Sequence, residues 1–244
     1  MTTTLSLICI YSGDEYRWTP RRIQNTAAKR NNSIMQPFLL PLFPLRVVVF
    51  PRTPLPLHIF EERYKEMVGE AIRARTEFGV VLAKEDGIVN AGCTVVVDSV
   101  LKEYSDGRMD VLTVGMRRFE ILGLNEEKSY LQGEVEFFDD EDLELASSEL
   151  KEKALGQYRG LVETGELRRP AADPVVNDPQ LSFQLAQALE DLDFMSILLR
   201  NRSEVERLKQ LTDYLTRSAP KMRQAARMKK LAPLNGHGST PSGM

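Results

Sequence analysis

The chain of 244 residues is 42% hydrophobic and 27% charged, which is typical of a soluble globular protein with one large domain or two ordinary ones. No run of about 18 apolar residues occurs, so no transmembrane helix is predicted. The net charge of -3 argues against general nucleic-acid binding. Cys9 and Cys93 are the only cysteines, which excludes a disulfide framework and indicates a reducing compartment, most simply the cytoplasm.

Residues 1–36 are predicted to be a disordered extension, because they are rich in Thr, Asn and Arg and hold one short apolar patch, at residues 5–11. Basic residues follow this patch instead of preceding it, which argues against a secretory signal peptide. An Arg-rich transit peptide is the alternative. Met35, directly before the organised region, is a second candidate start of the protein.

Residues 37–64 combine frequent prolines with short apolar runs. Each proline fixes its own φ angle and lacks an amide donor, so no helix is expected to run through this stretch. The β-branched runs at residues 46–50 and 55–59 predict two buried strands. A helix is predicted over residues 61–75, because apolar residues recur on one face at helical spacing. These residues are Tyr64, Met67, Val68, Ala71 and Ile72.

Further strands are predicted at residues 78–83, 92–104, 109–114, 119–124 and 131–138. Their separators are turn-prone, and Asp106-Gly107 is a strong hairpin signal, since glycine accepts the positive φ that such turns need. Many short strands with tight turns predict a closed or nearly closed β-barrel over residues 37–139. The early helix is expected to plug or flank this barrel.

The acidic run at residues 139–142 marks a change of composition, and we interpret it as a boundary between subdomains. Consecutive carboxylates without a spaced ligand loop are typical of a solvated linker, the alternative being a divalent-cation site. Beyond this run the apolar residues recur with a helical period, which predicts a helical bundle over residues 140–230 and a disordered tail over 231–244. Ser203 and Glu206 form a capping box that opens the last helix, and Pro220 is expected to end or kink it.

The end of this last helix is basic. Its cationic residues are Lys221, Arg223, Arg227, Lys229 and Lys230. We interpret them as a solvated face that suits the C-terminal end of the helix dipole, with contact to nucleic acid or acidic lipid as the alternative.

The sequence contains none of the common catalytic motifs. It has no Gly-Lys pair for a phosphate-binding loop, no GxSxG elbow, and only two histidines, His58 and His237. His58 lies between Leu57 and Ile59 in a predicted strand and is expected to face opposite to them, as a structural or surface residue. We therefore predict no catalytic residue, no metal ligand and no cofactor, although composition alone does not exclude a Ser/Lys dyad.

A series of motifs runs through the chain in a specific order. They are Pro41-Leu42-Phe43-Pro44-Leu45, Val49-Phe50-Pro51, the run from Pro54 to Tyr64, Phe78-Gly79-Val80-Val81, Gly92-Cys93-Thr94, Gly115-Met116-Arg117-Arg118-Phe119, Leu198-Leu199 and Val205-Glu206-Arg207-Leu208. As an ordered set covering about residues 37–218, they resemble the N-terminal domain of Lon proteases. The resemblance implies an α+β fold, with a PUA-like β pseudo-barrel and one early helix followed by a C-terminal helical bundle. Full-length Lon proteases continue into an ATPase module and a Ser-Lys peptidase domain before which this sequence stops, so no enzyme activity is expected.

Most of the motif residues are predicted to hold the barrel together. They are Pro41, Pro44, Pro51, Glu61, Arg63, Gly79, Gly92, Gly115, Arg118 and Phe119. The glycines lie at predicted strand ends, where close backbone approach or a positive φ is needed. Glu61 is expected to complement the helix dipole and Arg63 to pair across to the sheet. Arg118 and Phe119 are expected to alternate out and in.

The resemblance further implies a non-catalytic domain that binds exposed apolar segments of unfolded protein substrates. Phe50, Leu57, Phe60 and Tyr64 are the candidate substrate-binding residues, lining a groove between barrel and helix. Binding is expected to bury apolar side chains or to add a strand at an open barrel edge. A separate ATP-dependent protease is a second candidate partner, for an adaptor in cytoplasmic protein quality control, whereas nucleic acid and membrane are not expected.

Three alternatives stay open at this point. The first is an ATP-independent peptidase, which only the family name favours. The second is an RNA-binding PUA-like module, which the acidic balance disfavours. The third is a scaffold for a single specific protein.

Overall fold

The computed structural model describes residues 39–141, 145–168 and 173–231. The predicted extension over residues 1–36 and almost all of the predicted tail lie outside these ranges. Contacts between residues divide the chain into two compact units, Met1–Asp139 and Asp140–Met244, and the division falls within the acidic run. We call them the barrel unit and the helical unit.

The barrel unit contains one helix and a mixed β-sheet. Its elements are β1 (Leu39–Leu45), β2 (Pro54–Ile59), α1 (Glu62–Ala74), β3 (Phe78–Lys84), β4 (Gly87–Glu103), β5 (Met109–Asn125) and β6 (Gln132–Phe138). The strand order is β2-β5-β4-β3-β1-β6, and β5 also pairs with β6, so that β5, β4, β3, β1 and β6 close into a ring. β1 and β3 are parallel, and the other pairs are antiparallel.

β5 is long enough to pair with two strands along one edge. Its first part pairs with β2 at residues 109–114, and its second part pairs with β6 at residues 118–125. β4 pairs with β3 only as far as Val95. Beyond that residue, residues 96–103 of β4 pair with β5 alone among the described strands. β2, residues 109–114 of β5 and residues 96–103 of β4 therefore form a three-stranded extension of the ring, which we call the arm.

Two strand predictions need correction. The strand predicted at residues 46–50 is wrong, because residues 47–50 have no regular structure and the strand lies before them, in β1. β1 pairs with β6 at residues 39–41 and with β3 at residues 42–45, so each half of the strand has one edge without a ladder. β1 tolerates Pro41 and Pro44 because the missing amide of a proline can lie at such an edge. The strands predicted at residues 109–114 and 119–124 are two ends of one strand, β5, with Gly115 inside it.

The other predicted elements of the barrel unit are confirmed. β2, β3, β4 and β6 overlap the predicted strands, and the turn between β4 and β5 contains Gly107 at a φ of 80°. The predicted helix is α1, with Glu61 as its N-cap residue and Arg75 as its C-cap residue. Its apolar stripe is buried, as the side chains of Tyr64, Met67, Val68 and Ala71 show.

The helical unit contains α2 (Ser148–Glu163), α3 (Leu181–Ala186), α4 (Leu192–Arg200) and α5 (Glu204–Leu231). The N-cap half of the predicted capping box is present, since Ser203 Oγ accepts a hydrogen bond from the Glu206 N–H, whereas the Ser203 N–H donates to Asn201 Oδ1. α5 continues through Pro220, so this proline does not end the helix. The helix loses one amide donor at this position. The fold class is α+β, as predicted, and no helix in the described ranges is both long and apolar enough to span a membrane.

Arg207 is fully buried in the helical unit, and hydrogen bonds occupy all of its N–H groups. Nε donates to Ser182 Oγ, and the two terminal nitrogens donate to both Asp140 oxygens, to Asn201 O and to Glu204 Oε2, at 2.6–2.9 Å. Desolvation raises the pKa of Glu204, although hydrogen bonds from Ser182 and Arg207 oppose this effect. The network ties the start of α3, the α4–α5 connection and the first turn of α5 together.

Candidate functional site

The predicted substrate-binding residues do not line a common groove. Phe50 is 0% exposed, Leu57 is 4% exposed and Tyr64 is 7% exposed, so these three side chains belong to the core of the barrel unit. The Tyr64 ring packs on Phe43 with a centroid distance of 4.0 Å, which fixes α1 against β1. Only Phe60, just after β2, is half-buried and in contact with solvent.

Gly92 and Gly115 lie at close backbone approaches, which is one of the two roles considered for the motif glycines, whereas Gly79 is packed against side chains. A Cβ atom added to Gly115 would lie 2.1 Å from Phe50 O, and one added to Gly92 would lie 2.4 Å from Val80 O. Real Cβ atoms do not approach so closely, so a side chain at either position would push the strands apart.

Two expectations about arginine side chains are wrong. Arg118 is 1% exposed and does not alternate outward from Phe119; its guanidinium lies 4.8 Å from the centre of the Phe138 ring. Arg63 does not pair with the sheet, because it pairs with Glu61 at 2.8 Å and lies over the Tyr64 ring. In both cases a neighbouring aromatic ring offers the cation a partner that sequence spacing does not reveal.

The arm has a buried face and a partly exposed face. Leu57, Ile59 and Val111 are 0–4% exposed and face the core. The alternate positions form three cross-strand rows on the other face, which we call the outer face. The rows are His58–Asp110–Lys102, Pro56–Leu112–Ser99 and Pro54–Val114–Val96. Apart from Leu112, which is 8% exposed, these side chains are half-buried or exposed, so the face is largely apolar and open at its rim.

A polar cluster occupies one end of the outer face. His58 Nδ1 lies 2.5 Å from Asp110 Oδ1, and the Tyr104 hydroxyl donates to Asp110 Oδ2 at 2.9 Å. Phe60 stacks on the His58 ring with a centroid distance of 5.9 Å. Desolvation pushes the pKa of Asp110 upward, but the hydrogen bonds from His58 and Tyr104 outweigh it and leave this pKa below its usual value.

β2 has one edge without a strand partner among the described residues. Pro54 and Pro56 occupy alternate positions, yet the ladder to β5 is continuous from Pro54 to Ile59. The missing amides of the prolines therefore belong to the free edge, where proline is tolerated. Such an edge offers acceptors but few donors, which discourages the addition of another strand.

β4 protects its own free edge in the arm by a different device. Its register against β5 shifts between Val97 and Ser99 and again between Val100 and Lys102, so Asp98 and Leu101 are bulged. Bulges disrupt the regular row of hydrogen-bonding groups that a further strand needs. Leu101 is 54% exposed at the second bulge and adds apolar surface to the arm.

The described residues offer little for catalysis. They contain no group of three or more His, Cys, Asp or Glu side chains that could hold a metal ion. Cys93 is fully buried, and desolvation raises the pKa of its thiol to about 12, which leaves it un-ionised and a poor nucleophile.

Of the four predicted substrate-binding residues, only Phe60 lies beside the outer face, where it stacks on His58. Neither Pro54 nor Pro56 is among the predicted substrate-binding residues, although the strand they begin carries them on alternate positions with His58. The period-two alternation that placed His58 opposite Leu57 would also have placed both prolines beside it. The cross-strand partners Val96 and Val114 depend on the register of β5, which the sequence does not specify.

The described residues thus form an α+β fold, in which a closed mixed β-sheet is followed by a helical unit. The family model of the ATP-dependent protease La (LON) substrate-binding domain matches residues 39–217. The chain therefore belongs to this family, as the ordered motifs indicated.

Two curated relatives are Lon proteases. The chain is 31% identical over 109 residues to a Lon protease of Parabacteroides distasonis and 29% identical over 98 residues to Lon protease 1 of Hydrogenovibrio crunogenus. These alignments cover 41% and 37% of this chain but only 13% and 12% of the relatives. The chain thus matches a small part of much longer proteins.

Solved structures share the fold. A Lon N-terminal domain protein from Xanthomonas campestris matches with a TM-score of 0.60 and 24% identity, covering 72% of this chain and 98% of that one. The N-terminal domain of Mycobacterium avium complex Lon protease matches with a TM-score of 0.54 and 18% identity, covering 73% and 98%. At these identities the likeness concerns the fold alone.

Proposed function

We propose that this chain is a non-catalytic recognition protein that binds exposed apolar segments of protein substrates on the outer face of the arm. Membership of the Lon substrate-binding domain family supports a substrate-binding role. The observation that carries the proposal is the outer face itself, where the partly exposed Pro56, Val96 and Val114 lie in the same row as Leu112 or in the next one, and Phe60 stacks on His58 at the other end. A sheet face of this kind is normally covered by another layer, and a bound segment supplies one.

Burial of substrate side chains is the binding mode that the arm favours. Strand addition is disfavoured, because prolines on β2 and bulges on β4 interrupt both free edges. Burying one large apolar side chain contributes about 2 kcal/mol to binding. Two or three such side chains give a dissociation constant on the order of 0.1 mM, before the loss of translational and conformational freedom on binding is subtracted. Such weak binding suits a protein that samples many unfolded segments.

A second partner belongs to the same proposal. A chain that binds substrates without degrading them acts as an adaptor when a separate ATP-dependent protease receives the bound protein. The low cysteine content supports a cytoplasmic setting for both steps. The buried residues Phe50, Leu57 and Tyr64 act here as the support of the arm and of α1, not as contacts to substrate.

The test measures binding of a fluorescently labelled, permanently unfolded protein, such as reduced carboxymethylated lactalbumin, by anisotropy. Phe60→Ser and Val114→Ser are expected to weaken binding about tenfold, since each removes apolar contact area. Ile197→Ser is the matched control, because Ile197 is 57% exposed on α4 of the helical unit. Absence of saturable binding, or equal losses in all three variants, contradicts the proposal.

The same preparation tests the two other functions raised by the sequence. Casein cleavage that survives rigorous purification and disappears with a single Ser or Lys substitution would support a peptidase. A salt-dependent mobility shift with RNA would support an RNA-binding module.

A further inference from the structure

A cavity of about 330 Å³ lies in the helical unit, between the end of α2 and the last turns of α5. Its lining residues are Thr164, Glu166, Arg223, Ala226 and Arg227. The volume is at the lower end of the range for small-molecule sites and suits a ligand the size of one amino acid. Arg223 and Arg227 follow residue 217, where the family match ends, so family membership assigns no role to this cavity.

The backbone at the end of α2 fixes the position of Glu166. Gly165 adopts a φ of 75°, and the Glu166 N–H donates to Leu161 O at 2.8 Å. The side chain of Glu166 is only 7% exposed, and its Oε1 accepts from Arg223 Nε at 3.1 Å. Its Oε2 is buried and has no hydrogen-bond partner among the described residues. A buried acceptor without a donor is unfavourable, and a ligand with an N–H group would satisfy it.

Two guanidinium groups line the same cavity. The Arg223 side chain is 61% exposed and bonds to Glu166 through Nε, which leaves its terminal nitrogens for another acceptor. Arg227 follows one helical turn later and is exposed, with no ion pair in the described part of the chain. Guanidinium groups bind carboxylates through paired hydrogen bonds. With one carboxylate and two guanidinium groups, the described residues of the lining carry a net positive charge.

We propose that this cavity binds an acidic α-amino acid, such as glutamate or aspartate. The ammonium group supplies the donor that Glu166 Oε2 lacks, and the two carboxylates accept from Arg223 and Arg227. The net negative charge of the ligand balances the positive lining. Because Oε2 is covered in the empty cavity, binding includes a rearrangement of the cavity wall that uncovers this oxygen. A dicarboxylate without an ammonium group leaves Oε2 unsatisfied and binds less well.

The experiment titrates the full chain with L-glutamate by calorimetry, alongside glutarate, which lacks the ammonium group, and L-lysine, which reverses the net charge. Saturable binding of L-glutamate is expected, with affinity at least about tenfold higher than that for glutarate and for L-lysine. Arg227→Gln and Glu166→Gln are each expected to weaken L-glutamate binding about tenfold. Arg217→Gln on the same helix is the control, because Arg217 bonds to Asp213 O within α5 and does not line the cavity.

The exposed Arg227 variant keeps the proposal testable even if Glu166→Gln fails to fold. Absence of saturable heat up to millimolar L-glutamate overturns the proposal, as does equal affinity for glutarate or unchanged binding by Arg227→Gln. None of these outcomes bears on the arm, whose binding of unfolded protein is measured separately.

Discussion

Gly115 shows how a single residue permits the barrel and the arm to share one strand. It lies inside β5, between the part that pairs with β2 and the part that pairs with β6. Its N–H donates to Thr53 O at 2.9 Å and its O accepts from the Arg52 N–H at 2.7 Å. The loop between β1 and β2 therefore crosses directly over Gly115. Only a residue without a Cβ atom fits beneath that loop.

Substitution of Gly115 tests this close approach. Gly115→Ala is expected to lower the free energy of unfolding by about 3 kcal/mol, because the added Cβ collides with the backbone at Phe50 O. Gly156→Ala in α2 is the matched control, since no atom lies within 4 Å of its added Cβ, and a gain of about 0.5–1 kcal/mol is expected there. Urea unfolding followed by circular dichroism measures both, and equal effects would contradict the role of Gly115.

Asp110 is expected to contribute a pH-dependent part of the stability. Its pKa is lower in the folded protein than the ordinary value of 3.8, so its contribution is present above that pH and is lost as the pH falls through the lowered pKa. Asp110→Asn should therefore lower the free energy of unfolding at pH 7 and flatten its decline below about pH 4. The measurement is urea unfolding across pH 2–7, with the exposed Asp98→Asn as the control; an unchanged acid limb in Asp110→Asn would refute the expectation.

At the scale of the elements, both units bury apolar side chains, and the helical unit adds a buried ionic network. Strand ladders and apolar burial close the barrel unit, whose core residues Leu40, Leu42, Val81 and Phe119 are at most 1% exposed. In the helical unit a buried ionic network around Arg207 joins segments that local helix chemistry alone would leave separate. In some proteins buried ion pairs fix one arrangement among several that apolar packing permits, and we infer this role for the Arg207 network.

Arg207 therefore offers a test at this scale. Arg207→Ala is expected to lower the free energy of unfolding by about 3–5 kcal/mol, because it leaves Glu204 and Asp140 without their cationic partner. Arg207→Lys should recover little of the loss, since an ammonium group has three donors and no planar fork. Urea unfolding monitored by helical ellipticity makes the comparison, with the exposed Arg217→Ala as the control. Full recovery by lysine would show that charge alone matters.

At the scale of the whole molecule, each unit holds its own core. The ring of strands closes within residues 39–138, through β1 and β5 pairing with β6, and the Arg207 network lies entirely within residues 140–207. A chain segment that contains all the partners of its own ladders and buried charges has what it needs to fold.

Separate expression of residues 37–139 and 140–231 tests this independence. Each fragment is expected to unfold cooperatively and to give a dispersed amide NMR spectrum, because the strand ladders lie within one fragment and the Arg207 network lies within the other. A fragment that stays disordered would show that its stability depends on the other unit.

The amino-acid sequence by itself determined those features that rest on local chemistry. Helical spacing placed α1, the Ser203–Glu206 box placed the start of α5, and strand alternation placed His58 opposite Leu57. The ordered motifs also determined the family, because they are distributed over the whole matched region.

Only the tertiary structure decided which apolar residues are core and which are surface. Phe50, Tyr64 and Phe60 are all aromatic residues of the same stretch of sequence. The burial of Phe50 and Tyr64 depends on contacts with distant strands and loops, such as the contact of Phe50 O with Gly115. The prediction of a strand at residues 46–50 was wrong because the apolar residues there are buried without pairing with a neighbouring strand. His58 and Asp110 meet across 52 residues of chain, and that pairing follows from the register of β2 on β5. Register is set by the packing of the whole sheet, which local sequence cannot specify.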